Sequence, residues 1–242
     1  DVEGFYRANY VAGRAVVTIL GDADRALAER IAEQLTAGLP RAPGAPAPLP
    51  AVTQPTGQTL RMEHPASQSH ILLGLPAMTR DDPDYFPLLV GNYVLGGGGF
   101  VSRLYLEVRE KRGYAYSVYS YFLPLAQEGP FQIGLQTKKE QAEEALAQVR
   151  VVLDDFLVHG PSAAELRAAK QNLVGGFALR IDSNRKLLEQ VALIGFYQLP
   201  PNWLDDFTAR VEKVSGAGVR AAFARRVRAD HLVTVVVGSG EK

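Results

Sequence analysis

The chain has 242 residues, of which 47% are hydrophobic and 21% are charged, a composition typical of a globular protein with a sizeable core. Its formal net charge is zero, so no overall basic field favours nucleic acid as a partner. The absence of cysteine excludes disulfides and thiolate metal sites. No run of about 20 apolar residues predicts a transmembrane helix, and no signal-peptide pattern opens the chain.

The first forty residues predict the end of a domain rather than its beginning. Residues 2–10 have a helical pattern, residues 14–20 predict a strand, and residues 23–38 predict an amphipathic helix. Residues 40–58 are rich in proline and lack aliphatic periodicity, which indicates an extended linker. Because a domain rarely consists of one helix end, one strand and one helix, we expect Asp1 to lie inside a domain whose earlier part is missing.

An internal similarity indicates a duplicated architecture. Residues 5–21 and residues 223–238 share one pattern, which is a helix, a short turn, a β-branched strand and a glycine. We therefore interpret residues 1–39 as the truncated end of a first repeat, residues 40–59 as a linker rich in proline and alanine, and residues 60–242 as the second repeat.

The pattern beyond the linker predicts an α+β fold with a mostly antiparallel sheet packed on helices. Two capping boxes, at residues 137–140 and 162–165, predict helix starts. The first opens a long helix whose buried face is predicted to hold Ala142, Ala145, Leu146, Val149, Val152, Leu153 and Phe156. The predicted strands are residues 69–75, 114–123, 131–137 and 232–237, and the other predicted helices include residues 82–95, 183–198, 202–213 and 216–228.

The segment around residues 96–119 carries the most distinctive pattern. Four consecutive glycines break the preceding helix, Ser102 occupies an N-cap position, and Gly113 is expected to end the short helix that follows. Arg109 then lies near the helix end, and Tyr116 lies on the next strand. Alternation predicts that Tyr116 shares one face of that strand with Tyr114, Val118 and Ser120. The corner would bring together a guanidinium and a phenol, which are both hydrogen-bond donors.

Each of these patterns also has an ordinary structural interpretation. The glycines follow a helix rather than a strand and lack a nucleotide-binding motif, so they indicate a turn. His64 and His70 have too few neighbouring ligands to predict a metal site, and no H-x-x-E-H motif is present. The arginines beside Arg109 fit a solvated helix face with local ion pairs, and the tyrosines around Tyr116 fit a sheet. Alternatively, the Arg–Tyr pair binds a peptide carbonyl or the oxyanion that it becomes.

Residues 95–120, LGGGGFVSRLYLEVREKRGYAYSVYS, closely resemble the signature of the second half of pitrilysin/insulinase-type zinc metallopeptidases, which include mitochondrial processing peptidase subunits. The likeness continues through residues 162–173, Ser183, Gly195 and the last helix and strand, and residues 1–38 resemble the end of the family's first half. The resemblance implies two similar α+β halves that close like a clamshell on a peptide. In active members the first half binds zinc through H-x-x-E-H and a downstream glutamate.

The resemblance further implies that Tyr116 donates to the tetrahedral oxyanion and that Arg109 holds a substrate carbonyl nearby. No cofactor and no metal is expected in this chain, because H-x-x-E-H is absent from it. Zinc would belong to an upstream half or to a partner subunit of the complete metalloendopeptidase, and the chain alone would be inactive.

The implied partners are a peptide or protein substrate and a homologous zinc-bearing half or subunit, as a homodimer or heterodimer. The alternative functions are a non-catalytic scaffold or partner subunit of the same family, and a peptide-binding protein without chemistry. Related bacterial chains are often exported, which favours a periplasmic or exported location.

Overall fold

The structure is a computed structural model that describes residues 1–41 and 48–238. Its helices are α1 Val2–Asn9, α2 Arg25–Thr36, α3 Tyr85–Asn92, α4 Ala142–His159, α5 Ala163–Gly175, α6 Asn184–Tyr197, α7 Phe207–Lys213 and α8 Gly216–Arg226. Its strands are β1 Gln58–Met62, β2 Gln68–Met78, β3 Ala115–Phe122, β4 Gly129–Lys138 and β5 Val233–Val237. Two π-helical turns, Tyr93–Gly97 and Tyr105–Glu110, interrupt the regular helices near the middle of the chain.

The chain divides into two compact units. The first unit comprises residues 1–50 and 176–205, and the second comprises residues 51–175 and 206–242. These limits separate units that are compact in space, whereas the predicted boundaries at residues 39 and 59 separate sequence repeats. The division into repeats therefore stays a prediction. Part of the predicted linker, residues 42–47, lies outside the described residues.

The first unit contains α1, α2 and α6, and it buries few side chains. Large apolar side chains such as Phe5, Tyr6 and Leu35 are exposed. The strand predicted at residues 14–20 is wrong, because these residues belong to no strand of the described sheet. A β-branched run forms a strand only where a neighbouring backbone accepts and donates its hydrogen bonds.

The second unit contains a five-stranded sheet in the order β1-β5-β2-β4-β3. Strand β1 is parallel to β5, whereas β2 with β5, β2 with β4, and β4 with β3 are antiparallel. The predicted α+β fold with a mostly antiparallel sheet is therefore confirmed. Strand β1 is not predicted from the sequence, because it is short, all of its residues are exposed, and its partner β5 lies at the far end of the second unit.

Aromatic side chains join the sheet to the helices on one of its faces. Phe223 of α8 lies edge-on to Phe156 of α4 at 4.9 Å between ring centroids, and to Phe131 of β4 at 6.4 Å. The predicted buried face of α4 is confirmed at all of its positions. Helices α4 and α8 thus form the core with the alternating inward residues of β2 and β4, which include Ile71, Leu73 and Ile133.

The two predicted capping boxes have different outcomes. The box at residues 162–165 is confirmed, because the Ser162 N–H donates to the Glu165 carboxylate at 2.7 Å and the Glu165 N–H donates to Ser162 Oγ at 3.3 Å. The box at residues 137–140 is wrong. Thr137 is still paired with Ser69 in the sheet, and its buried hydroxyl caps no helix. Continued strand pairing therefore overrides the local helix-start pattern.

Phe223 gives a test of this core. We expect Phe223→Ala to lower the free energy of unfolding by about 3–5 kcal/mol, because it leaves a cavity among three other aromatic rings. Urea unfolding followed by circular dichroism measures the loss. Phe196→Ala is the matched control, because Phe196 is exposed and its truncation should change stability by less than about 0.5 kcal/mol. Equal effects of the two substitutions would contradict this description of the core.

Candidate functional site

The glycine-rich segment brings the end of α3 against strand β3. A Cβ on Gly96 would lie 2.5 Å from Ser120 Oγ and 2.6 Å from the Ser120 nitrogen, so only glycine permits this approach. Asn92 fixes the same contact, because its Nδ2 donates to the Ser120 carbonyl at 3.1 Å and its Oδ1 accepts from Ser120 Oγ at 2.7 Å. The predicted turn at residues 96–99 is therefore also a close packing contact.

The turn is followed by a short helical segment that begins at Ser102. The extended backbone of Ser102 and its carbonyl, which accepts from the Leu106 N–H at 3.0 Å, agree with the predicted N-cap position. The side chain does not cap the helix, however, because Ser102 Oγ donates to the Gly99 carbonyl at 2.8 Å.

Gly113 ends the segment as predicted. Its φ of +64° is in the left-handed region, where glycine carries no steric penalty. The Gly113 N–H donates to the Arg109 carbonyl at 2.8 Å and the Tyr114 N–H donates to the Val108 carbonyl at 3.0 Å. Each of these two bonds spans one residue more than in a Schellman motif, as expected at the end of a π-helical turn, and together they turn the chain directly into β3.

A β-bulge places Tyr116 differently from the sequence prediction. Ala115 pairs with Thr137 and Val118 pairs with Leu135, so that two residues of β3, Tyr116 and Ser117, oppose one residue of β4. The extra residue reverses the alternation. Val118 and Ser120 are consequently buried, whereas the Tyr116 side chain is 83% exposed. The predicted common face for Tyr116, Val118 and Ser120 is therefore wrong.

The corner brings the two predicted side chains, Arg109 and Tyr116, into contact. The guanidinium carbon of Arg109 lies 4.9 Å from the centroid of the Tyr116 ring, within cation–π range. A second ring, that of Tyr105, lies 4.7 Å from the same carbon. Arg109 is therefore held by two aromatic rings, of which Tyr105 is only 8% exposed.

The sequence analysis did not single out Tyr105. Its spacing of four residues from Arg109 was the available signal, because residues at i and i+4 of a helical segment lie on one face. Burial, together with the neighbouring Glu110 carboxylate, raises the pKa of the Tyr105 phenol. Tyr105 therefore remains a neutral ring beside the Arg109 guanidinium at ordinary pH.

The hydrogen-bond donors of the pair are uncommitted within the described part of the chain. Neither the Arg109 guanidinium nor the Tyr116 hydroxyl donates to any described residue. An arginine side chain offers five N–H donors, and a tyrosine offers one O–H. The arrangement can thus offer guanidinium and phenol donors side by side to the acceptor oxygens of a ligand.

A partly buried ion-pair network holds the segment that bears Arg109. Arg103 donates twice to Glu165, at 2.7 and 2.8 Å, and once each to Asp155 at 2.8 Å and the Gly160 carbonyl at 2.9 Å. Its guanidinium also lies 5.2 Å from the Phe156 ring. Arg103 therefore joins the segment to the end of α4 and the start of α5, which differs from the solvated helix face considered above.

Ion pairs elsewhere on the segment agree with that ordinary interpretation. Glu107 accepts from Lys111 at 2.5 Å and from Arg112 at 3.0 Å, and the lysine is largely exposed. The pKa of the Glu107 carboxyl is lowered mainly by its hydrogen bond to Lys111. These residues are local surface pairs, and Arg109 is not among them.

The described ranges contain no group of three or more histidine, cysteine, aspartate or glutamate residues that could hold a metal ion. His64 and His70 belong to no such group. Within the same ranges, no helix has the length and apolar composition needed to cross a membrane.

The fold and the site thus define an α+β domain that has a glycine-rich turn, a corner at Gly113 and an Arg–Tyr pair at its surface. The sequence model described as "Peptidase M16 inactive domain" matches residues 1–173, and the chain belongs to this family. The predicted resemblance to pitrilysin/insulinase-type metallopeptidases is thereby confirmed. The chain is an inactive C-terminal domain of a zinc-protease-like protein.

Three similar proteins support this assignment. An uncharacterized zinc protease of Streptomyces coelicolor is 31% identical over 230 residues, which is 91% of this chain and 49% of that protein. The β subunit of mitochondrial-processing peptidase from Blastocladiella emersonii is 27% identical over 199 residues, 79% of this chain and 42% of that subunit. The crystal structure of a peptidase M16 inactive domain from Pseudomonas fluorescens has a TM-score of 0.91 and 39% identity, covering 99% of this chain and 57% of that one. The chain spans about half the length of the curated relatives that it matches.

The Arg103 network predicts a component of acid stability. The hydrogen bonds that Glu165 accepts from Arg103 lower the pKa of the Glu165 carboxyl to about 2, from an ordinary value of 4.5. A lowered folded-state pKa stabilises the fold above about 4.5, and this stabilisation is lost as the pH falls toward about 2. We therefore expect Glu165→Gln to be less stable than wild type at pH 6, with a smaller loss of stability between pH 5 and about pH 2.

Thermal unfolding at a series of pH values measures this difference. Glu33→Gln, which alters an exposed carboxyl of α2, is the control and should keep the wild-type pH dependence. A Glu165→Gln profile parallel to that of wild type would contradict the role assigned to the network.

Proposed function

We propose that this domain is the substrate-binding half of a zinc metalloendopeptidase, in which Arg109 and Tyr116 bind and polarise the carbonyl of the scissile peptide. The observation that carries the proposal is the contact between these two side chains, whose donors have no acceptor among the described residues. A phenol O–H is suited to stabilise the oxyanion that forms when water attacks a peptide bond, and an adjacent guanidinium is suited to hold a neighbouring substrate carbonyl.

The bulge and the rings prepare the pair for this task. Because the bulge directs Tyr116 outward, its hydroxyl can reach a ligand without a change in the backbone of β3. Because Arg109 lies between Tyr105 and Tyr116, its long side chain loses less freedom on binding than a free arginine would. In this mechanism Tyr116 donates its O–H to the developing oxyanion, and Arg109 donates N–H groups to a neighbouring substrate carbonyl.

The metal and its ligands would belong to a different half. Zinc, when bound by H-x-x-E-H in a homologous half or partner subunit, would supply the activated water and a Lewis acid.

We propose that residues 1–39 belong to the first repeat and residues 60–242 to the second, with residues 40–59 as the linker. The exposed apolar side chains of the first unit, among them Phe5, Tyr6 and Tyr10, are compatible with such a partner half.

Tyr116 gives the direct test. In the assembled enzyme, we expect Tyr116→Phe to lower kcat by about 10²–10³ with a smaller change in KM, because the hydroxyl would act mainly in the transition state. Steady-state kinetics on a peptide substrate measures both constants.

Tyr114→Phe is the matched control, because Tyr114 lies on the same corner and is less exposed. Wild-type turnover of the Tyr116→Phe enzyme would exclude the oxyanion role. If no metallopeptidase activity accompanies the assembled protein at all, a scaffold function within the family would replace the proposal.

A further inference from the structure

The face of the sheet that is turned away from α4 and α8, here called the open face, carries an exposed apolar row between rows that include the polar side chains of His70, Gln132 and Gln136. The strand register aligns Leu60, Val235, Leu72, Gly134 and Tyr119 in one row across all five strands. Leu60, Leu72 and Tyr119 in this row are 46%, 40% and 42% exposed. With adjacent strands about 4.8 Å apart, the row extends for roughly 19 Å. An exposed apolar patch of this extent commonly marks a binding surface.

Two tyrosines shape one end of the row. A Cβ on Gly134 would lie 2.5 Å from the Tyr119 hydroxyl and 2.6 Å from Tyr119 Cζ, so the Tyr119 ring lies across β4 above Gly134. The ring is thereby directed from β3 toward Leu72 of β2. Tyr121 stacks beside it, with ring centroids 6.1 Å apart. The end of the row therefore combines two flat aromatic surfaces with an aliphatic side chain.

The row is adjacent to the Arg–Tyr pair. Tyr116 and Ser117 oppose Gln136, which is two residues from Gly134 on β4. Two residues of a strand span about 7 Å, and alternate side chains of an extended peptide have the same spacing. A peptide that lies along the strands with a carbonyl at Tyr116 would therefore place a side chain over Tyr119 and Leu72.

The charge of the open face restricts the ligand. The residues that the register places on this face include no aspartate or glutamate, and Lys138 is their only lysine or arginine. The remaining polar side chains are His70 and four glutamines, Gln58, Gln68, Gln132 and Gln136, which lie outside the apolar row. Such a face offers no carboxylate to a basic side chain, whereas it can bury apolar surface. Aromatic and aliphatic side chains are the groups that such a floor would bind most favourably.

From these observations we infer that the open face is a specificity subsite for the substrate peptide. It takes a bulky aliphatic or aromatic side chain about two residues from the bond that Arg109 and Tyr116 address. The inference rests on the proposed function for the identity of the ligand. It adds the chemical class of the substrate side chain and assigns Leu72 and Tyr119 as its contacts.

The test uses the assembled full-length enzyme and pairs of peptides that differ only by Phe or Ser two residues from the cleaved bond, on either side. We expect wild type to prefer one Phe peptide by about tenfold or more in kcat/KM, within the range that apolar pockets achieve. Leu72→Gln makes the floor polar, and Gly134→Ala displaces the Tyr119 ring, so each should bring this ratio toward one. Val151→Gln is the control, because it changes an exposed side chain of α4 away from the open face, and it should keep the wild-type ratio.

The inference would be overturned if the Phe/Ser ratio of kcat/KM stayed at its wild-type value in Leu72→Gln, and also in Gly134→Ala if that variant folds. This holds even with normal turnover of other peptides. If wild type cleaves neither peptide, the proposed function fails and the subsite is tested by fluorescence anisotropy with labelled copies of the same peptides. Tighter binding of the Phe peptide that is lost in Leu72→Gln would then support the apolar site. Equal binding of the Phe and Ser peptides would overturn it.

Discussion

Between Ala115 and Val118, strand β3 contains one residue more than the paired segment of β4. This irregularity separates two requirements that a regular strand could not meet together. Val118 and Ser120 remain in the core, where Ser120 bonds Asn92 of α3, while Tyr116 points outward. Bulges re-aim side chains in this way without loss of the surrounding ladder. The candidate site therefore depends on a local change of register more than on any single strong bond.

Several contacts within the second unit hold the surroundings of the bulge. Arg103 joins the preceding helical segment to α4 and α5 through charge-assisted bonds, which are stronger than neutral ones. The left-handed turn at Gly113 fixes the direction in which β3 leaves that segment. Behind the sheet, Phe223 packs between rings of α4 and β4. A donor pair on such a support needs little reorganisation when it binds a ligand.

The two faces of the sheet have different chemistry. The inner face is filled by α4 and α8 and has the alternating pattern of a half-buried antiparallel sheet. The open face has a central row of leucine, valine and tyrosine in register, where a solvated face would be expected to have polar residues. In a domain whose relatives are about twice as long, an apolar row beside the Arg–Tyr pair is consistent with contact to a further ligand or half.

The sequence by itself determined the features that depend on neighbouring residues. The apolar period of α4, the capping box at Ser162 and the stop at Gly113 follow from local stereochemistry, and so does the proximity of Arg109 and Tyr116 across a short corner. The tertiary structure alone decided the bulge at Tyr116, the strand character of residues 58–62 and the continued pairing of Thr137. Each of these depends on hydrogen bonds to a strand distant in the chain, and such bonds override local preference because a paired backbone group is more stable than an unpaired one.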